Sequence, residues 1–127
     1  MRILIGTSGF SYPDWSGQFY PRGLKRDRRL AYYATQFPAV EINASYYGIP
    51  AASTTERWAS QVPPGFEFVV KAHRDMTHGE SFEPDTFAEF RAAMAPLCRM
   101  GMLGAVLAQF PYRFRRTAAN ERYLATI

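Results

Sequence analysis

The chain has 127 residues, 47% of them hydrophobic, and a formal charge of +4 with a pI near 9.5. That is enough apolar material for one domain with its own core, spanning residues 1–127. No apolar run reaches the length of a membrane span, residues 3–5 are too short for a signal peptide, and one cysteine excludes an internal disulfide. These exclusions point to a soluble cytoplasmic protein with no membrane partner, in which Cys98 is expected to be a small buried residue.

In chain order, residues 2–7 read as a buried strand that runs into Gly6, Thr7 and Ser8. Residues 8–23, rich in Gly, Pro, Tyr and Trp, have no helical period and read as a long loop. Asp27 is placed to cap a helix with Leu30, Tyr33, Ala34 and Phe37 on one face, which Pro38 ends. Residues 39–43 form the second strand and 44–50 another strand-to-helix loop. Ser53 with Glu56 three positions on makes a capping-box pattern, with Trp58 on the apolar side of that helix.

Pro63, Pro64 and Gly65 stop the chain and turn it into the third strand, residues 66–71. Residues 72–84 are a polar loop that holds both histidines. Asp85 is placed to cap a helix to Arg99 with Phe87, Phe90, Met94 and Leu97 inside, and Pro96 is expected to kink or shorten its last turn. Residues 103–110 read as the fourth strand, 111–119 as a basic loop and 120–127 as a fourth helix.

Strands that alternate with helices predict an α/β fold with a parallel sheet. Alternation along each strand sorts the side chains. The large apolar face belongs under the helices. The opposite face is expected to collect Thr7, Glu41, Asn43, Lys71 and Gln109 at the strands' carboxyl ends. Polar residues on that face suit the inside of a TIM-barrel-like wall better than a flat sheet covered on both sides. Glu41 and Lys71 read either as a buried ion pair or as site residues. Asn43 and Gln109 read either as satisfied core amides or as ligand contacts.

Gly6-Thr7-Ser8-Gly9 lacks the spacing and the Lys–Ser/Thr ending of a phosphate loop. His73 and His78, with Asp75 and Glu80 nearby, match no standard zinc spacing, so no metal ligands are assigned and any cofactor is unknown. A histidine acting as acid, base or anion contact fits its near-neutral pKa better. Tyr12, Trp15, Phe19 and Tyr20 form an aromatic cluster that either anchors the loop or stacks on a planar ligand. The basic groups Arg22, Lys25, Arg26, Arg28, Arg29 and Arg113, Arg115, Arg116 permit an anionic partner, whether a small molecule or a nucleic acid.

Four motifs, in order, resemble one family. They are Gly6 to Tyr12 with Trp15, Gly17 and Phe19-Tyr20-Pro21; Val40 to Asn43 with Ser45-Tyr46-Tyr47 and Pro50; residues 66–71 with Arg74 and Thr77-His78; and Leu107 to Pro111 with Phe114. The family is the YecE-like group, domain-of-unknown-function family 72. The resemblance implies a TIM-barrel-like fold and no established activity. Family members are roughly twice this length, so this chain would hold about the first four β/α units, a half barrel. The leading expectation is an anionic small-molecule site at the strand ends. There Glu41 acts as general base or ligand, Lys71 and His78 take the negative charge, and Thr7, Ser8, Tyr12, Trp15, Asn43, Tyr46, Arg74 and Gln109 bind or orient the substrate. The alternatives are a nucleic-acid-binding or processing protein, and a truncated fragment without activity that pairs with itself through open sheet edges.

Overall fold

The structure, a computed structural model, describes residues 2–79 and 83–127. Four parallel strands, β1 (Gly6–Ser8), β2 (Ala39–Ile42), β3 (Glu67–Lys71) and β4 (Leu103–Leu107), form one sheet in the order 1-2-3-4. Helices α1 (Arg29–Tyr33), α2 (Ala52–Ser60), α3 (Arg74–Thr77), α4 (Pro84–Arg99) and α5 (Ala118–Thr126) fall between and after them. Strands that follow one another without reversal make a barrel-type wall, whereas a doubly wound sheet reverses at a switch point. The fold is therefore α/β and barrel-like, with β1 and β4 as open edges.

One face of the sheet is dry. Val40, Ile42, Phe66, Phe68 and Val70 are buried beneath Leu30 and Tyr33 of α1, Ala59 of α2 and Phe90, Met94 and Leu97 of α4. Helix α2 is tied to α4 by the buried Thr55 hydroxyl, which donates to the Ala93 carbonyl at 2.6 Å. Ser45, also buried, donates to Lys71 O at 2.6 Å and to Ile42 O at 3.1 Å, locking the turn after β2 onto the end of β3. No described helix is long and apolar enough to cross a membrane.

The first strand departs from expectation. Only Gly6–Ser8 pairs, and Ile3 and Ile5 are 71% and 69% exposed. Among the described residues β1 has a partner on one side only. β4 likewise ends at Leu107 rather than at residue 110, and Val106, on its outer face, is 43% exposed. Cys98 is exposed, not buried, because it lies on the outer side of the last turn of α4.

The helix starts also differ. Asp27 lies within a 3-10 turn (Arg26–Arg28) and caps nothing; α1 begins behind it from Arg28. Ser53 is inside α2, whose N-cap is Ala51, so the capping box does not form. Asp85 sits in the first turn of α4 after Pro84, with Glu83 at the cap. Pro96 is buried within α4, and the helix continues through it to Arg99. The predicted polar loop contains the short helix α3, capped by His73, whose Nδ1 accepts from Asp75 N at 3.3 Å. The rest of that loop, including Glu80, reaches beyond the described residues. α5 starts two residues earlier than predicted, where the Thr117 hydroxyl accepts from Asn120 N.

The loop after β1 is held by aromatic packing. Trp15 and Phe19 meet at 5.3 Å, Phe19 and Tyr20 at 4.8 Å, and Phe19 reaches Tyr32 in α1 and Phe37 just after it. Burial of the Tyr20 phenol pushes its pKa up to about 12, although the Arg29 guanidinium over its ring opposes the rise. The folded state thus keeps a proton that the unfolded chain loses near pH 10. Stability from this group is complete below pH 10 and is expected to drain away between pH 10 and about 12. Chemical denaturation at stepped alkaline pH should show that decline in the parent and a smaller one in Tyr20→Phe; parallel curves would refute it.

Candidate functional site at the strand carboxyl ends

Register decides which side chains share the inner face. Ser8 aligns with Glu41 and Thr7 with Val40, while Glu41 aligns with Val69 and Ile42 with Val70. Thr7 therefore lies on the helix side, contrary to expectation. Its amide donates to the Tyr33 phenol oxygen at 2.8 Å, its hydroxyl sits 2.9 Å from that oxygen, and the phenol donates to Ala39 O at 3.0 Å. A buried phenol needs partners, and the β1 edge provides them.

Ser8 takes the inner place. Its hydroxyl donates to Glu41 Oε1 at 2.9 Å and accepts from the Asn43 amide. The Gly9 amide binds Glu41 O at 2.8 Å, and Gly9, at φ 84°, turns the chain away from the strand in a conformation that L side chains resist. These bonds join Ser8, Glu41 and Asn43 into one polar group across two strand ends. Glu41 and Asn43 are half-buried.

A second group stands on the next strand. Lys71 Nζ lies 4.8 Å from the centre of the Tyr46 ring, and the His78 ring meets Tyr46 edge-on at 5.5 Å. The Thr77 hydroxyl is 2.8 Å from His78 Nδ1. Among the described residues no carboxylate comes within 4.0 Å of Lys71, so the ion pair with Glu41 is not made. Instead the ammonium rests on an aromatic face and the carboxylate on a neutral hydroxyl.

Beside His78 opens a cleft of about 590 Å³ that is also lined by Arg113, Phe110, Phe114 and Tyr123. The sequence does not mark Arg113 and Tyr123 as site residues, since one belongs to a basic loop and the other to a terminal helix and neither carries a motif. Tyr123 is held by its bond to Met76 O at 2.6 Å, and burial raises its pKa.

The other predicted residues are not gathered in. Gln109 is exposed beyond the end of β4 and makes no hydrogen bond to a described residue. Arg74 is exposed beside Asp75. Trp15 is packed among Tyr12, Phe19 and Tyr20, and Tyr12 donates its phenol proton to Ser8 O. Several basic residues have partners within the chain: Arg29 bonds Ser11 and Tyr12 O, Arg116 pairs with Glu121, and Arg115 lies over Tyr112.

Residues 4–127 match the family described as "Protein of unknown function DUF72". A UPF0759 protein, YunF, of Bacillus subtilis (strain 168) is 33% identical over 96% of this chain and 44% of its own length. Crystal structures of two DUF72 family proteins superpose well. The one from Enterococcus faecalis V583 has a TM-score of 0.83 at 32% identity, over 98% of this chain and 46% of that one. The one from Thermotoga maritima MSB8 has a TM-score of 0.80 at 36% identity, over 96% and 49%. The chain thus spans about half the length of the relatives it matches.

Proposed function

Because the chain belongs to the DUF72 family of proteins of unknown function, we propose that it supplies part of the wall of a TIM-barrel-like protein whose mouth binds an anionic small molecule. The observation that carries this reading is the separation of charge at two neighbouring strand ends. Lys71 is held on Tyr46 and Glu41 on Ser8, each by a neutral partner. Two opposite charges left uncompensated at strand carboxyl ends suit a ligand that supplies the missing partners. Lys71 and His78 take its negative group, and the cleft beside His78 adds Arg113. Glu41 accepts a hydrogen bond, or a proton, from a ligand hydroxyl. Asn43 and Ser8 hold the carboxylate in place.

Glycerol 3-phosphate, which carries both an anionic group and hydroxyls, is a suitable probe. Titrating it while following the His78 ring protons by NMR should give a saturable shift. There are two histidines, so His73→Gln assigns the signals. Lys71→Gln should weaken the binding about tenfold, the loss of one charge-assisted contact. An unmoved His78 signal, or an undiminished shift in Lys71→Gln, would remove the reading.

A further inference from the structure

A larger cleft, of about 890 Å³, lies on the outer flank between α1 and α2, roofed by the loop after β1. That volume is within the ~300–1,000 Å³ range of small-molecule sites. The residues that line it come from the loop after β1, the turn before α1, α1, the end of β2 and α2. It shares Asn43 and Tyr12 with the region of the mouth and otherwise has its own walls.

The walls are chemically divided. Arg26, Arg28 and Arg57 border the cleft, against a single carboxylate, Asp27. Among the described residues none of these three guanidiniums lies within 4.0 Å of a carboxylate. Three cations around one hollow repel one another unless an anion joins them. Arginine forks fit the oxygens of a phosphate in pairs. The other wall is aromatic. Trp58 is half-buried and borders the cleft with its ring nearly parallel to that of the buried Phe68, 21° off at 6.3 Å, and Phe10 adds a second ring. Phe68 is fixed in the core, so the indole is a preset platform. Such a platform favours a planar ring, since every base has a π-face that stacks on an aromatic side chain.

We infer that this cleft binds a phosphate monoester attached to a planar heteroaromatic group, of the size of a mononucleotide. The arginines hold the phosphate while Trp58 and Phe10 hold the ring. This site is separate from the Lys71 mouth and does not depend on it.

The test is calorimetric titration of the chain with adenosine 5′-monophosphate, adenosine and inorganic phosphate. The monophosphate should bind with a dissociation constant below about 1 mM, with each fragment weaker by about tenfold or more. The double variant Arg28→Gln/Arg57→Gln changes only exposed side chains, and circular dichroism checks its fold. It should weaken monophosphate binding more than about tenfold and flatten the salt dependence, whereas Arg91→Gln, an exposed arginine of α4 that lines neither cleft, should leave both unchanged. Three results would overturn the inference. One is no saturable monophosphate binding. Another is binding lost in Lys71→Gln and kept in the double variant, which would place the anion in the mouth. The third is tight binding of a single-stranded oligonucleotide with none of the mononucleotide, which would make the surface a polynucleotide track.

Discussion

Gly6→Val should be the most damaging single change in the first strand. A Cβ at this position would lie 2.1 Å from Ala39 O and 2.8 Å from Ala39 C. Both are backbone atoms of the strand that β1 pairs with, so neither can step aside as a side chain can. β1 is three residues long and pairs on one side, with the Tyr33 phenol holding its outer side. Pushing it off β2 therefore breaks its ladder and leaves the Tyr33 phenol without Thr7. The expected cost is about 3 kcal/mol, the upper end for overpacking, with Gly6→Ala destabilising in the same direction by less. The effect reaches the site, because Ser8 can no longer bond Glu41. Denaturant unfolding reads the first effect and the loss of the His78 response to glycerol 3-phosphate reads the second. A valine variant within about 0.5 kcal/mol of the parent would mean that β1 does not approach β2 this closely.

Phe68→Ala should cost about 3–5 kcal/mol, by lost burial and the cavity left behind. Phe68 is fully buried in the middle of β3, 5.1 Å from the Phe66 ring and under Trp58. For a domain whose whole stability is about 5–15 kcal/mol, that is enough to populate unfolded chain at moderate temperature. Where the variant stays folded, Trp58 loses the ring beneath it, and binding in the outer cleft should weaken with it. Val106→Ala is the contrast. Val106 is also on the outer face of the sheet, one strand away, but 43% exposed, so its truncation should change stability by less than about 0.5 kcal/mol. Equal costs at the two positions would contradict a core that is closed over β3 and open over β4.

Both variants rest on the unequal covering of the sheet. β2 and β3 have neighbours on either side and helices above; β1 and β4 have neither in full. Of the polar groups on the inner face of this same sheet, Glu41, Asn43 and Lys71 are half-buried and Ser8 is exposed.

The β/α alternation, the places of β2 and β3 and the buried stripe of α4 are legible in the residue pattern alone. Those elements are long enough, or apolar enough on one face, for period alone to identify them. The pattern also marks Glu41, Asn43 and Lys71, because polar residues ending apolar runs are a local signal, while Tyr46 and His78 are marked only by the family resemblance. The direction of Thr7, the separation of Glu41 from Lys71 and the cleft between α1 and α2 follow instead from long-range packing. Thr7 faces the helices because it aligns with the buried Val40 across the β1–β2 ladder, a register between distant segments that no local alternation specifies, and there the Tyr33 phenol meets it. The helix starts at Asp27, Ser53 and Asp85 failed for a related reason. A capping residue is worth about 1 kcal/mol, less than the packing that sets where each helix enters the layer. Arg26 and Arg28 belong to the 3-10 turn before α1 and Arg57 and Trp58 to α2, and only the packing of these segments side by side makes a cleft of them.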